Sequence, residues 1–363
     1  MRKKICYFAT SAGDWGGASR VLNVTLRLLD RSRFEPLVLF PEAGPILPDL
    51  EQRGIGYRLW GPLTEYTGAL SYIRAVAKTW RFLRREKVAL VHINHSGFWR
   101  PAEILGAKLA RVPVLAHYHL VIDQPGPFTG LLDGIVAVSD FVSRASGFRS
   151  ASKTVIHNAV ELDRFDRATD LRTELGIPPE AIVVAFAGQI RQNKGVDLFI
   201  RLADEIPDPA VRFLIAGECR ESKRYADGYS RNQLLSEIAH DPRILYVGYR
   251  SDIENIYCSA DIVTVPSRWQ EPFGLINIEA GAARRPVVAS RVGGIPEVIR
   301  DGENGLLFDP DHPASFAAAI RQLVEDKALR LRMGARARAV VEEEFTTKPI
   351  HALEALYEEL TGR

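Results

Sequence analysis

Cysteines and long hydrophobic runs are both scarce in this chain of 363 residues. The three cysteines, Cys6, Cys219 and Cys258, lie far apart without a CxxC or ligand-like spacing, so we predict reduced thiols, no disulfide and no zinc site. No apolar run reaches the roughly 18 residues that a membrane span needs. The short apolar run after the basic N-terminus soon meets Asp14, which favours a buried first strand over a signal peptide. We therefore expect a cytoplasmic protein, either soluble or peripheral on the inner face of the cytoplasmic membrane.

Motifs of three common functional classes are missing as well. The loop after the first predicted strand reads GDWGGA instead of GxGxxG, which argues against a nicotinamide-dependent oxidoreductase. No DxD-type acidic cluster follows a predicted strand, so the sequence offers no metal site there. The basic residues are not interleaved with aromatic residues in a reading motif, so we expect no nucleic acid partner.

What the chain does contain is a regular alternation of short β-branched apolar runs with amphipathic segments, and 46% hydrophobic residues suffice for two cores. This alternation predicts parallel sheets built from βαβ units. The predicted strands are residues 5–9, 36–40, 88–93, 112–118, 134–138, 182–188, 211–217, 244–248, 261–266, 286–290 and 305–308. We therefore predict an α/β protein of two Rossmann-like doubly wound domains facing each other across a cleft, with ligands beyond the carboxyl ends of the strands.

The two predicted domains are divided by a polar, charge-rich stretch that ends at Pro178 and Pro179. We place the first domain in residues 1–165 and the second in residues 166–345. Apolar residues recur at helical spacing in the remaining segment, which predicts a C-terminal helix in residues 346–363.

Basic residues concentrate in the first half of the chain, where residues 1–160 carry 21 Lys and Arg against 12 Asp and Glu. Six of the basic residues fall in the predicted helix 71–87. Four apolar residues share one face of that helix and are predicted to pack on the core: Ile73, Val76, Trp80 and Leu83. We expect the basic remainder to contact an anionic membrane surface or an anionic acceptor, with an ordinary solvated face as the alternative.

Two loops that follow predicted strands have anion-binding features. In SAGDWGGAS, Gly16 and Gly17 open a helix whose amides can receive a phosphate or sugar oxygen, although a structural glycine turn explains the pattern equally well. In AGQIRQNKG, Arg191 and Lys194 precede a helix that starts after Gly195. Two cations and a helix N-terminus suit a diphosphate, and two solvated loop cations are the alternative.

A third loop places two acids eight positions apart in WQEPFGLINIEA. Glu271 belongs to the loop after a strand and Glu279 to the first turns of the next helix, so both can face the cleft. Carboxylates accept hydrogen bonds from neighbouring hydroxyls, which suits a sugar at one end and a ribose at the other. The amides between them, at Phe273, Gly274 and Leu275, can cradle phosphate oxygens. For an isolated pair of this kind, surface charges would be the simpler explanation.

The pair is not isolated, because five segments stand in an order that resembles glycosyltransferase family 4, a family of retaining enzymes with the GT-B fold. The segments are IHNAVELDRF, GQIRQNKG, PSRWQEPFGLINIEA with its E-x7-E spacing, VGGIPEVI and DGENGLLFDP. The likeness covers nearly the whole chain. One departure is local: Ala159 and Glu161 replace the glycine and the acid of the usual N-G-V-D turn.

The resemblance implies a role for each half of the chain. The first domain would bind the acceptor, the second would bind the nucleotide-sugar donor, and the C-terminal helix would cross back onto the first domain. Arg191 and Lys194 would neutralise the donor diphosphate. Glu279 would hold the ribose, and Glu271 with the neighbouring amides would position the donor sugar. The loop at Gly16 and Gly17 would close over the donor.

A family histidine normally ends the strand that reaches the donor sugar, and LAHYHL offers two on one face of a strand. We prefer His119 as this catalytic residue. His117 is the second choice and a candidate on the acceptor side, where Phe98 and Trp99 are further candidates; packing under a neighbouring helix would explain these aromatic residues equally well.

The implied reaction transfers a hexosyl unit from a UDP- or GDP-linked sugar to a hydroxyl of a glycan, lipid-linked or small-molecule acceptor. The anomeric configuration would be retained, no metal or other cofactor would be required, and the pathway would be cell-surface polysaccharide or glycolipid synthesis. A nucleotide-sugar epimerase or hydrolase of the same fold and a noncatalytic nucleotide-sugar binding protein are the alternatives.

Overall fold

A computed structural model describes residues 2–13, 16–61, 67–95, 100–147, 152–219 and 226–362. The chain divides into two compact domains. The first domain comprises Met1–Ala159 together with Thr347–Arg363, and the second comprises Val160–Thr346. No helix in the ranges described is both long enough and apolar enough to cross a membrane.

The first domain contains a parallel sheet whose strands are mostly buried on both faces. Its strands are β1 (Lys3–Phe8), β2 (Phe34–Phe40), β3 (Gly56–Leu59), β4 (Leu90–His95), β5 (Val114–Tyr118), β6 (Gly134–Ala137) and β7 (Lys153–Val155). They lie in the order β3-β2-β1-β4-β5-β6-β7. Because covered parallel strands have no solvent face, their sequences are continuous apolar runs, and this is why most of them could be predicted.

Helices on both faces cover this sheet and complete its core. They are α1 (Gly17–Leu28), α2 (Leu47–Gln52), α3 (Ala69–Arg85), α4 (Pro101–Leu109), α5 (Asp140–Ala145) and the C-terminal helix α13 (Thr347–Gly362). The chain runs outward from β1 to β3 and then returns to β4 on the other side of β1. The strand order therefore reverses between β1 and β4, the point at which ligands bind in open α/β sheets.

The second domain repeats this architecture with a parallel sheet in the order β10-β9-β8-β11-β12-β13. These strands are β8 (Ile182–Ala187), β9 (Val211–Ala216), β10 (Ile244–Tyr246), β11 (Ile262–Val265), β12 (Val287–Ser290) and β13 (Gly305–Phe308). The helices are α6 (Leu162–Asp166), α7 (Val196–Glu205), α8 (Arg231–Ile238), α9 (Ile253–Ser259), α10 (Leu275–Ala282), α11 (Ala314–Glu325) and α12 (Lys327–Glu344). Here the strand order reverses between β8 and β11.

The boundary between the domains lies at Ala159, earlier in the chain than the predicted residue 165. The amide of Val160 donates to the carbonyl of Phe345 at 2.7 Å. Phe165 of α6 stacks on Tyr257 of α9 with ring centroids 6.4 Å apart. The segment after Ala159 thus already packs on the second domain.

The final helix α13 (Thr347–Gly362) belongs to the first domain. Its buried Leu353, Tyr357 and Leu360 join the apolar core that includes β1. The Tyr357 hydroxyl lies 3.1 Å from the Tyr7 hydroxyl and 2.6 Å from His92 Nδ1. This helix therefore supplies both apolar and polar contacts to the centre of that domain.

Helix α3 packs with a different face from the one predicted. Leu83 is buried as expected, but Ile73 and Trp80 are 60% and 38% exposed. The buried residues are Thr79, Phe82 and Leu83. A Cβ on Gly106 of α4 would lie 2.6 Å from the Thr79 side chain, so close approach of the two helices at Thr79 sets which face is covered. The prediction that Ile73 and Trp80 face the core was wrong.

Candidate active site

The strand reversal in the second domain brings together two predicted site residues that lie far apart in sequence. Strands β8 and β11 are neighbours, with Val184 opposite Ile262. The loop after β8 contains Lys194, and the loop after β11 contains Glu271. Lys194 Nζ donates to Glu271 Oε1 at 2.6 Å, and the side chains are only 24% and 13% exposed. A cation and an acid thus form a close pair at the carboxyl edge of the sheet.

The Glu271 carboxylate and backbone are both held by other groups. The Ser267 hydroxyl donates to Glu271 Oε1 at 2.9 Å. The Gly294 amide donates to the Glu271 carbonyl at 2.7 Å. Gly293 has a φ of +56°, and a Cβ there would lie 2.1 Å from the Glu271 carbonyl oxygen. The segment VGGIPEVI therefore supports Glu271 through backbone contacts that require glycine at position 293.

Arg191 has a carboxylate partner of its own. Its Nη2 and Nε donate to Asp227 Oδ1 at 2.6 and 3.1 Å. Burial alone would raise the pKa of Asp227, but the hydrogen bonds from Arg191 and from the Asn193 amide outweigh it, and that pKa lies below its usual value. Arg191 is thus fixed by a charged group that the sequence analysis did not identify.

The residues between the two predicted acids form the start of α10. Phe273 is buried and packs edge to face on Phe345 at 5.8 Å. Gly274 precedes the helix with a φ of +82°, and none of the described side chains caps the helix at this end. Uncapped amides at a helix N-terminus suit an anion. Leu275 is the first residue of the helix, as the predicted role of these amides requires.

Glu279 lies inside α10 and is only 6% exposed, so it is not a surface charge. It accepts a hydrogen bond of 2.9 Å from the Tyr257 hydroxyl. A buried carboxylate needs such partners because an isolated buried charge is strongly unfavourable. Tyr257 thus fixes the acid that the sequence analysis assigned to the ribose.

In the first domain, Gly16 and Gly17 mark the start of α1. Gly17 is the first helical residue, and Gly16 precedes it with an ordinary φ of −98°. Among the described residues, a Cβ on Gly16 would meet only the Ser19 hydroxyl, at 3.7 Å. The φ of Gly16 is one that any residue adopts, and no side chain in the described part of the chain caps the start of α1.

Three buried histidines lie side by side in the first domain. The rings of His117 and His119 are 4.3 Å apart, and His92 is 5.4 Å from His117. Burial lowers the pKa of His117 to about 3. Burial, with His117 as a secondary cause, lowers the pKa of His92 well below its usual value. At neutral pH both are therefore uncharged.

This burial predicts acid sensitivity of the first domain. Unfolded His117 binds a proton near pH 6.5 and the folded form only near pH 3, so stability falls as the pH drops below about 6.5 and is unaffected above it. Between pH 6.5 and 4.5 the loss attributable to His117 is about 2.7 kcal/mol at most. Urea unfolding followed by tryptophan fluorescence should measure it, since four of the five tryptophans precede residue 159.

The matched variants for this experiment are His117→Phe and His351→Phe. The first should make the decline between pH 6.5 and 4.5 shallower, and the remainder should come from His92, whose pKa burial also lowers. The second replaces an exposed histidine of the same domain and should leave the decline intact. Equal slopes for His117→Phe and the unmodified chain would contradict the assignment.

The acceptor candidates Phe98 and Trp99 lie outside the described residues. Four side chains that the sequence analysis did not single out contact predicted site residues: Ser267, Tyr257, Asp227 and Asn94. Asn94 could have been found as a polar residue near the end of a predicted strand. Ser267 could likewise have been found, because it directly follows a predicted strand and lies four positions from Glu271. Tyr257 and Asp227 gave no signal, because their contacts join segments 22 and 36 positions apart.

Family models match both halves of the chain. The model described as "Glycosyltransferase Family 4" matches residues 15–164, and the model described as "Glycosyl transferases group 1" matches residues 168–340. A curated relative from Corynebacterium glutamicum (strain R), named D-inositol 3-phosphate glycosyltransferase, is 40% identical over 176 residues, which is 47% of this chain and 41% of the relative. The chain spans about two fifths to one half of the length of the curated relatives it matches.

Two crystal structures resemble the whole chain. A glycosyltransferase from Rickettsia africae has a TM-score of 0.85 at 19% identity, covering 99% of this chain and 98% of that one. Anabaena HepE, solved in complex with UDP and glucose, has a TM-score of 0.80 at 24% identity, covering 98% and 99%. These likenesses establish the fold.

Two parallel-sheet α/β domains with these neighbours define the GT-B class, as the sequence analysis predicted. With both halves matched by the family models, the chain belongs to glycosyltransferase family 4.

Proposed function

We propose that this protein is a retaining hexosyltransferase that takes its sugar from a nucleoside diphosphate donor bound by the second domain. The observation that supports this most strongly is the contact between Lys194 and Glu271, 2.6 Å apart at the strand reversal. If one partner of such a pair were removed, the other would be a poorly solvated charge. The contact therefore stabilises both side chains while no donor is bound. Donor binding would replace this contact with Lys194 to phosphate and Glu271 to sugar hydroxyls.

In the proposed reaction, negative charge develops on the diphosphate as the glycosidic bond breaks. Lys194, Arg191 and the amides at the start of α10 are the groups that would stabilise this charge, and they would act more strongly in a site drier than bulk water. We propose that the acceptor oxygen attacks from the face that the diphosphate leaves, and that a leaving phosphate oxygen takes the acceptor proton. Such a mechanism needs no metal and no cofactor. His119 is proposed as a further catalytic residue.

Two further proposals concern the base of the donor nucleotide and the chemical class of the acceptor. HepE was solved with UDP and glucose, which favours a UDP-linked sugar over a GDP-linked one. Several relatives are named for D-inositol 3-phosphate, so a phosphorylated polyol is a candidate acceptor beside glycan and lipid-linked hydroxyls. The net positive charge of the first half suits an anionic acceptor of this kind. Cell-surface polysaccharide or glycolipid synthesis remains the proposed pathway.

A two-stage experiment tests the proposed function. Thermal shift with UDP, GDP, ADP and NAD should show stabilisation by UDP or GDP, about 2.7 kcal/mol at 100 times the dissociation constant. UDP- and GDP-sugars are then incubated with inositol 3-phosphate, polyprenyl-linked and soluble glycan acceptors, and the anomeric configuration of the product is read by NMR. Epimerised or hydrolysed donor without transfer would favour the alternative enzymes. Binding with no turnover at all would favour a noncatalytic protein.

We also propose that α3 binds an anionic membrane surface. A groove of about 820 Å³ runs along this helix and is lined by Trp60, Ile73 and four cations. Leu70 and Ile73 are 72% and 60% exposed. Exposed apolar side chains beside several cations are typical of helices that lie at a membrane interface. A cytoplasmic protein attached peripherally to the inner face of the cytoplasmic membrane would use such a surface.

Replacing Arg81, Arg84 and Arg85 by glutamine should weaken binding to vesicles that contain anionic lipid. Each cation near the surface contributes about 1 kcal/mol, so the triple variant should lose on the order of 100-fold in affinity, measured by co-sedimentation. Activity on a soluble acceptor should not change. A matched triple replacement of the exposed arginines 167, 201 and 291 in the second domain should retain binding. Equal losses from both triple variants would contradict a specific role for α3.

A further inference from the structure

A buried asparagine of the first domain joins two of the predicted site elements. Asn94 lies on β4 and is 2% exposed. Its Oδ1 is 2.7 Å from Nε2 of His119, which follows β5, and its Nδ2 donates to the carbonyl of Ala18 at 3.0 Å. Ala18 is the second residue of α1, next to Gly16 and Gly17. One amide therefore contacts both the predicted catalytic histidine and the start of the glycine-loop helix.

The two contacts of Asn94 determine which nitrogen of His119 is protonated. A carbonyl oxygen can only accept, so the Asn94 NH2 group must face Ala18 and the Asn94 oxygen must face His119. That oxygen can also only accept, so Nε2 of His119 must carry the hydrogen. In the neutral ring, Nδ1 then has the lone pair and is the nitrogen that can accept a proton or a hydrogen bond.

A second buried side chain holds the other end of the glycine loop. Arg100, 1% exposed, donates from Nη2 to the carbonyl of Ala9 at 2.6 Å. Ala9 precedes the loop and Ala18 follows it. The residues on either side of the loop are therefore hydrogen-bonded to Arg100 and Asn94. Asn94 lies on β4 and Arg100 follows that strand, whereas the loop follows β1. Because Asn94 also contacts His119, a shift of the α1 start and a rotation of the imidazole are mechanically linked.

We propose that Asn94 is a positioning residue that sets the tautomer and orientation of His119 and couples them to the glycine-loop helix. This inference rests on the proposed function, since His119 matters to turnover only if it belongs to the catalytic set. The hydrogen bond from Nε2–H to Asn94 fixes the plane of the ring, and in the neutral ring it thereby fixes the direction of the Nδ1 lone pair. Loss of the correct tautomer or a displacement near 1 Å reduces turnover on the order of 100-fold or more in other enzymes.

The test combines NMR with kinetics on the full chain. Histidine labelled with ¹⁵N should show the Nε2–H tautomer at His119, assigned by comparison with His119→Gln. Asn94→Ala should abolish the preference for that tautomer and lower kcat on the order of 100-fold. Asn94→Asp keeps an acceptor for Nε2–H and should retain the tautomer. Its carboxylate should raise the pKa of His119 and move the acidic limb of the kcat profile to higher pH.

Thr25→Val is the control for general destabilisation, because it removes a buried side-chain hydrogen bond within α1. It should leave the tautomer unchanged and turnover within about twofold of the unmodified chain. An Nδ1–H tautomer in the unmodified chain would overturn the proposal without any variant having to fold. A changed tautomer in Asn94→Ala with normal kcat would also overturn it. Normal kcat in His119→Gln would refute the catalytic role of His119 and with it this proposal. It would not affect the conclusion on nucleotide binding, which the thermal shift tests separately.

Discussion

Replacing Lys194 by methionine is expected to lower kcat/KM for the nucleotide sugar on the order of 100-fold or more, roughly 3 kcal/mol of transition-state stabilisation. The variant removes the cation proposed to contact the leaving diphosphate. It also leaves the Glu271 carboxylate, 13% exposed, without the ammonium that lies 2.6 Å away. Glu271→Gln should show a loss of similar size. Steady-state kinetics with the donor found in the thermal-shift screen will measure both.

Controls separate this effect from a general loss of positive charge or stability. Arg201→Met removes a cation that is 63% exposed on the neighbouring α7 and should leave kcat/KM within about twofold. Because Lys194 and Glu271 contact each other, the double variant should lose less than the sum of the single losses in free energy. Unmodified kcat/KM in either single variant would remove that residue from the proposed site. Equal losses in Arg201→Met would indicate a long-range charge effect.

The second large effect is expected from the substitution Gly293→Ala. Gly293 has no side chain that could contact the substrate, so we expect the effect to come from the backbone around it. The added Cβ would lie 2.1 Å from the carbonyl oxygen and 2.7 Å from the amide nitrogen of Glu271, so the loop carrying Glu271 must move. A displacement near 1 Å in a catalytic group can reduce turnover on the order of 100-fold. We therefore expect a loss of at least this size in kcat, measured with saturating donor.

Gly302→Ala is the matched control for this prediction. Gly302 has a comparable φ of +78°, but a Cβ there would meet nothing within 4 Å. The two alanine variants share the backbone strain of about 1–2 kcal/mol. Only Gly293→Ala adds a steric contact with Glu271. If Gly302→Ala lost as much activity as Gly293→Ala, strain and not displacement of Glu271 would be the cause.

The strands that could be predicted from the sequence are the ones covered on both faces. Strand β8 reads IVVAFA and β9 reads VRFLIA, and continuous apolar runs of this kind predict buried parallel strands. Two edge strands were missed. Strand β3, GYRL, is mostly exposed, and β7, KTV, has only three residues. An edge strand needs apolar residues on at most one face, so its sequence resembles a loop.

The candidate site divides in a similar way. Arg191, Lys194, Glu271 and Glu279 could be proposed because they follow strands or begin helices within recognisable segments. Their mutual geometry could not, because the contact between Lys194 and Glu271 spans 77 positions and depends on β8 lying beside β11. The partners Asp227 and Tyr257 have no distinguishing sequence context. The buried face of α3 was predicted wrongly from the apolar periodicity. The close contact between α3 and α4 at Thr79 determines which of its residues are covered.

The assignment of α13 to the first domain has a consequence for synthesis on the ribosome. Strand β1 leaves the exit tunnel before the second domain is made, whereas Tyr357 and Leu360, which belong to the same core, leave it after the second domain. The segment Val160–Thr346 is continuous and can close its own core while those residues are still being added. Of the two domains, the one whose synthesis starts first is therefore the one that finishes folding last.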